Sequence, residues 1–318
     1  MINAYCMHNN HVSLTRIDCT SAPSEHIIWL DVAEPELHEL KWLSRYFPGS
    51  MPNNEEDLRE LEISSRFFET SDGIHIRTLF PHRSGHELRN VNVALTIKND
   101  MLITLQDEPT ALFRLMRGYI KNQQMKASLP LDIIIALFDA KVEYLADTLE
   151  EIYGELEEAS QTALSEDTAD VDELLRTITL QEDLNGKMRL NMLDTQRSLR
   201  YFLRACNKRL TEHQREQIRD MLRDLESLTP HTAFLFDKIN FLMDATMGFI
   251  NLEQNSIIKI FSVAAVMFMP PTLIASVYGM NFDFMPELHS SIGYPIALGM
   301  MLLSAFGTYF FFKRKGWL

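Results

Sequence analysis

Near the C-terminus, residues 276–288 read SVYGMNFDFMPEL: an uncharged Gly279-Met280-Asn281 step in an apolar stretch, followed by Asp283 and Glu287 with no base beside them. The carboxamide of Asn281 and neighbouring backbone carbonyls can accept hydrogen bonds from the water shell of a small hard cation, which sheds that shell reluctantly. A ring of carboxylates would grip such an ion, whereas amides can recognise it hydrated. Gly279 would let the backbone turn its carbonyls toward a common axis. Asp283 and Glu287, just beyond, would concentrate cations through their field.

Upstream, Asp244, Asn251, Asn255, Ile258, Ser262, Ala265, Met269, Thr272 and Ser276 are separated by one step of seven and then by alternating steps of four and three. That spacing puts them on one seam of a helix. The seam is mostly polar or small, and its flanks carry Phe249, Ile257, Ile260, Phe261, Val263, Val266, Phe268, Leu273 and Ile274. Two arrangements accommodate such a seam. Small residues favour close helix–helix contact in a membrane. Alternatively, several copies of the helix surround an axis and the seam lines a water path, which two helices per chain cannot enclose, so a symmetric oligomer is required. A shift of register by one residue would put Phe261 on that axis instead of Ser262.

These residues need elements to hold them. Residues 260–282 and 288–312 carry no charge, and each run exceeds the roughly 20 residues that a spanning helix requires. Amphipathic core helices would present a polar face, and these present almost none. Lys259 precedes the first run, Lys313, Arg314 and Lys315 follow the second, and the loop between them holds only acids. By the positive-inside rule both ends of the hairpin face the cytoplasm and the loop faces out.

Charge is concentrated elsewhere: all but two of the 44 acids and all but four of the 30 bases precede residue 257. So acidic a part would repel nucleic-acid phosphates and suits cations. Cys6, Cys19 and Cys206 are too scattered for a disulfide framework, and a reducing compartment fits. The N-terminal MINAYCMHNNHVSLTRID has no basic region followed by an apolar one, so no signal peptide is expected.

Residues 1–125 read as mixed α/β. HIIWLDV, GIHIRTLF, VNVALTI and MLITLQ are strand-like, and Lys98-Asn99-Asp100 makes a hairpin turn between the last two. PELHELKWLSRYF and TALFRLMRGYI have helical spacing. Residues 126–207 should form two long antiparallel helices that turn near SEDTAD, with Asp170 as a cap for the second. Helix resumes at Thr211, where Pro230 either kinks one long helix or starts a new one behind Thr229. The many helix carboxylates, such as Glu150, Glu151 and Glu155, read first as solvated faces.

Tyr278-Gly279-Met280-Asn281-Phe282, the following Met285-Pro286-Glu287-Leu288, the ending KRKGWL and SSRFFE at residues 64–69 together resemble the CorA magnesium transporters of bacterial inner membranes, across the whole chain. The resemblance implies a homopentameric funnel. A cytoplasmic α/β domain (1–125) and long antiparallel helices (126–207) would lead through a stalk helix (208–256) to a pore-lining helix (257–280). A periplasmic loop (281–291), an outer membrane helix (292–312) and a basic cytoplasmic tail (313–318) would follow.

The resemblance further implies roles. Gly279, Met280 and Asn281 would bind hydrated Mg2+ at the outer entrance, with Thr272, Met269 and Asn255 lower on the wall and Asp244 as an acidic ring. Ile258 and Phe261 would gate by excluding water. Lys259, Lys313, Arg314 and Lys315 would form a basic collar. Regulatory Mg2+ would sit between neighbouring copies on Asp220 and Glu60, or Asp57, where the family's usual aspartate is a glutamate. Co2+ and Ni2+ are further expected cargo. The sequence lacks GxxxxGK[ST], so no ATP-driven step is expected. A zinc transporter of the same superfamily is the near alternative. A membrane-anchored cytoplasmic enzyme or sensor is the distant one, against which stand the absence of HExxH and of a nucleophile elbow and the loose spacing of His75, His82 and His86.

Overall fold

The computed structural model describes the 318-residue chain except residues 1, 9–10, 18, 20–21, 24–25, 49–65, 72, 86, 123–129, 165–170, 282–284, 287–289 and 318. The described part divides into two compact units, residues 1–242 and 243–318.

The first unit is built on seven strands, β1 (Ile2–His8), β2 (His11–Arg16), β3 (Ile27–Ala33), β4 (Phe67–Thr70), β5 (Gly73–Ser84), β6 (Glu87–Lys98) and β7 (Met101–Gln106). They lie in the order β2-β1-β3-β7-β6-β5-β4, with every neighbouring pair antiparallel except the parallel β3 and β7. β3 is buried along its whole length, as a strand covered on both faces should be. The four strand-like runs read from the sequence fall on β3, β5, β6 and β7. Lys98 pairs with Met101 across a two-residue turn, and Asn99 there takes a φ of 51°, which its short polar side chain tolerates. β1, β2 and the four-residue β4 are additional; β2 and β4 are the two edge strands and are largely exposed, so burial imposes little pattern on them, whereas β1 lies inside β2 and is buried from Ile2 to Cys6.

Helices cover both faces. On one, α1 (Leu37–Tyr46) sets Trp42 and Leu43 against Ala4, Leu30, Val32, Ile103 and Leu105. On the other, Trp29 stacks on Tyr5 with ring centroids 4.7 Å apart and meets Phe113 of α2 (Ala111–Lys121), while Phe80 meets Phe138 of α3 (Pro130–Leu164). Alternation along β3 produces this division, since Trp29 and Asp31 point one way and Leu30 and Val32 the other. Asp31 is fully buried, and its charge is met by Arg117 at 2.6 Å, Gln106 at 2.6 Å and Thr104 at 2.9 Å.

A second buried polar cluster ties α4 (Val171–Ala205) to the sheet. Asp194 accepts hydrogen bonds from Arg66 at 2.5 Å, the Thr78 hydroxyl at 2.6 Å and the Leu79 backbone N–H at 2.7 Å. Lys141 of α3 donates to the same Thr78 hydroxyl at 3.1 Å and lies 4.6 Å from the centre of the Phe80 ring. Burial disfavours its charged form and pushes its pKa down to about 7.

α3 and α4 are each 35 residues long, and the SEDTAD turn expected between them, with Asp170, lies outside the described residues. α5 (Glu212–Tyr278) is a single helix of 67 residues that passes through Pro230 without a break. Pro230 supplies no N–H to the preceding turn. Hydroxyls serve nearby carbonyls: Thr229 donates to Leu225 at 2.8 Å and Thr232 to Thr229 at 2.8 Å, and Asn185 of α4 donates to the Thr232 carbonyl at 3.0 Å. The second unit contains the end of α5 and α6 (Gly293–Arg314).

Candidate functional site

Within the second unit, α5 and α6 are each long and apolar enough to cross a membrane, with mean hydropathies of 1.9 and 1.6 over their most apolar stretches. Only 6% of either stretch is buried, which separates them from the core helices of a soluble protein. α6 runs back along α5: Lys259 donates from Nζ to the Gly316 carbonyl at 3.5 Å, and at the other end Ala275, Tyr278 and Gly279 share a cleft of about 360 Å³ with Gly293, Tyr294 and Ala297.

The side of α5 that faces α6 is marked by burial. Val263 is 4% exposed, and Met267, Pro270, Ile274 and Tyr278 are half-buried, at helical spacing from it. Asp244, Asn251, Asn255, Ile258, Ser262, Ala265, Met269, Thr272 and Ser276 are all exposed. At 100° per residue, Ala265 and Ser276 lie about 160° round the helix from Val263 and Ile274. The seam therefore points away from α6, and close contact between the two helices of one chain does not account for its small residues. Exposure alone does not distinguish it from the flanks, because Ile260, Phe268 and Leu273 are also exposed. Polarity does. Thr272 bonds back to the Phe268 carbonyl at 2.7 Å, which removes the cost of its hydroxyl in an apolar medium.

α5 ends where the Gly-Met-Asn step begins. The Gly279 N–H still donates to Ala275 at 2.9 Å and the Met280 N–H to Val277 at 3.3 Å, so Asn281 is the first residue clear of the helix, and it is exposed. Gly279 does not have a left-handed φ; a side chain there would bring its Cβ within 3.1 Å of the Ala275 carbonyl, so the position favours glycine through close approach. Asp283 and Glu287 lie outside the described residues.

The basic residues sit on a defined helix end. After α6, Gly316 adopts a φ of 71°, its N–H donates to Lys313 at 3.2 Å, and the Trp317 N–H donates to Phe312 at 3.1 Å. This pair of bonds closes a helix with left-handed glycine, and an apolar contact between Trp317 and Phe312 completes it. In KRKGWL, glycine after a basic last turn, followed by an aromatic, is the sequence signal for this cap. Lys313 lies 5.8 Å from the centre of the Tyr309 ring, and Arg314 and Lys315 are exposed.

Ile258 and Phe261 are 61% and 72% exposed, three residues apart on the helix. Asp220, on the first-unit part of α5, accepts a hydrogen bond from Arg223 one turn on. It closes a ladder in which Glu216 pairs with Arg219 at 3.2 Å and Arg223 at 3.0 Å. Glu60 and Asp57 lie outside the described residues, so their distance from Asp220 is not part of the structure.

Comparison with known proteins matches residues 24–314 to the family described as CorA-like Mg2+ transporter protein. The magnesium transport protein CorA of Haemophilus influenzae (strain ATCC 51907 / DSM 11121 / KW20 / Rd) is 45% identical over 321 residues, with 100% of each chain covered. The complete structure of the CorA magnesium transporter from Methanocaldococcus jannaschii superposes with a TM-score of 0.77 at 20% identity, covering 100% of this chain and 99% of that one. The ZntB cytoplasmic domain from Vibrio parahaemolyticus is more distant, with a TM-score of 0.59 at 12% identity over 78% of this chain and 97% of its own. A family match over most of the length, a full-length relative at this identity and a shared fold agree with two apolar C-terminal helices, the first of which ends at Gly-Met-Asn: the chain belongs to the CorA-like Mg2+ transporter family.

Proposed function

We propose that this chain assembles as a homopentamer in a bacterial inner membrane and conducts Mg2+, and also Co2+ and Ni2+, into the cytoplasm, with both termini on the cytoplasmic side. One observation carries this reading: the polar and small seam of α5 is exposed and points away from α6, which leaves it available to face other copies of the chain. Gly279, Met280 and Asn281 would present amide and carbonyl oxygens to the hydrated ion at the outer entrance. Thr272, Met269 and Asn255 would line the path and Asp244 would attract the ion toward the inside. Ile258 and Phe261, both apolar and exposed, would close it by dewetting.

A doubly charged ion moving inward gains about 4.6 kcal/mol per 100 mV, from about 2.3 kcal/mol per charge, so the membrane potential suffices to drive uptake. Lys259, Lys313, Arg314 and Lys315 would surround the inner mouth and set its potential. Regulatory Mg2+ would be held between copies on Asp220 and Glu60. Asp220 fits this role in one respect: it is a half-exposed carboxylate that pairs with an exposed arginine on its own helix, and such pairs are weak enough for a divalent ion to displace. Bound metal would offset repulsion between the acidic surfaces and favour the closed assembly; falling cytoplasmic Mg2+ would release it.

Flux into liposomes that contain only this protein tests the reading. Asn281→Ala is expected to abolish Mg2+ uptake while the assembly is retained, and undiminished uptake would overturn the proposed entrance. Competition between Mg2+ and Zn2+ separates this function from zinc transport.

A further inference from the structure

Cys19, His38 and Glu39 converge in the first unit, far along the chain from the apolar hairpin. A ring nitrogen of His38, the Cys19 sulfur and a carboxylate oxygen of Glu39 all lie within 4.8 Å of one another. Donors around a four-coordinate ion at about 2.0–2.3 Å stand roughly 3.5 Å apart, so side-chain adjustments of about 1 Å would close the set on a metal.

Two elements bring the donors together. Cys19 follows β2 and is half-buried against the cluster that contains Trp42 and Leu43, while His38 and Glu39 occupy the first turn of α1. Glu39 is held by the helix cap, where its Oε2 accepts the Glu36 N–H at 2.9 Å. Glu36 in turn places Oε2 3.2 Å from Nδ1 of His38. Contacts of this kind orient metal-binding side chains, and a carboxylate beside one ring nitrogen makes an imidazole a stronger donor through the other. Glu39 is buried and His38 exposed, so the trio has a protein floor and an open rim at which water can complete the coordination.

The donor set decides the ion. Mg2+ takes oxygen ligands almost exclusively, whereas thiolate with imidazole and carboxylate suits Zn2+ and Co2+. We propose that Cys19, His38 and Glu39 form a binding site for a borderline divalent cation, Zn2+ or Co2+, chemically distinct from the oxygen-lined path for Mg2+. Such an ion would clip the chain after β2 to the start of α1. This inference stands whether or not the seam of α5 conducts.

Co2+ titration of the full-length protein in detergent, with Mg2+ in large excess to occupy oxygen-donor sites, tests it. One equivalent of Co2+ per chain is expected to produce a near-ultraviolet thiolate-to-Co2+ charge-transfer band and to raise the unfolding temperature. Cys19→Ser should abolish the band, His38→Gln should weaken binding at least tenfold, and Cys206→Ala should leave both signals in place. His38 is exposed, so its variant is expected to fold even if the Cys19 variant is unstable. Absence of the band in the wild-type protein, its persistence in Cys19→Ser, or unchanged affinity in His38→Gln would each overturn the proposal.

Discussion

The Trp317 N–H donates to the Phe312 carbonyl at 3.1 Å, and the two rings lie with centroids 5.6 Å apart. Gly316 between them holds a φ of 71°, and nothing lies within 4 Å of where its Cβ would be. Gly316→Ala therefore meets no clash and costs only the left-handed backbone, about 1 kcal/mol. Hydrogen exchange at the Gly316 and Trp317 amides should accelerate about fivefold, and Gly316→Asn should show a smaller change. Equal protection in all three proteins would remove the cap as the device that sets the basic tail.

The direction of the α5 seam predicts a pattern of chemical access. Asn255→Cys, Met269→Cys and Thr272→Cys should react with a charged, water-soluble thiol reagent at least tenfold faster than Val266→Cys or Leu273→Cys on the flanks. Equal rates at all five positions, or faster labelling of the flanks, would mean that the seam faces lipid.

Asp220 belongs to the exposed ladder with Glu216 and Arg223. Asp220→Lys places a cation beside Arg223 and removes the oxygen proposed to bind regulatory metal, so inhibition of flux by Mg2+ on the cytoplasmic side should require about tenfold more Mg2+. Because the position is exposed, the unfolding temperature should change little. Inhibition at unchanged concentrations would exclude this carboxylate from regulation.

Lys141 is fully buried, and burial brings its pKa down to about 7 from an ordinary 10.5. Between those two values the unfolded chain binds more protons at this group than the folded one, so stability rises with pH there, by up to about 1.4 kcal/mol per unit. Below pH 7 both states hold the proton and the slope vanishes. Lys141→Met removes the group, and Arg66 still compensates Asp194. The variant should unfold at a higher temperature than the wild-type protein at pH 7, and its advantage should shrink by pH 9. A constant difference across that range would show that Lys141 does not titrate there.

Features that depend on local order are legible in the order of residues alone. Freedom from charge over the two terminal runs is enough to specify membrane-length helices, because the cost of a charge in hydrocarbon does not depend on the rest of the fold. The β6–β7 hairpin was legible because Asn99 and Asp100 act on their own backbone, and the seam of α5 because helical period is a property of consecutive residues. The ending KRKGWL contained its own helix stop.

Packing decided the rest. That β3 pairs in parallel with β7 joins residues such as Trp29 and Leu102, and no local pattern encodes that choice. Pro230 was ambiguous in sequence, and the helix continues through it with Thr229, Thr232 and Asn185 serving carbonyls nearby. Which side of α5 faces its neighbour emerged only from burial of Val263 and the cleft shared with α6. The meeting of Asp194 with Arg66, and of Cys19 with His38 and Glu39, likewise required the sheet and helices to be in place. A side chain's periodicity is set by its near neighbours along the chain, but its chemistry is set by groups that only folding brings within a few ångströms.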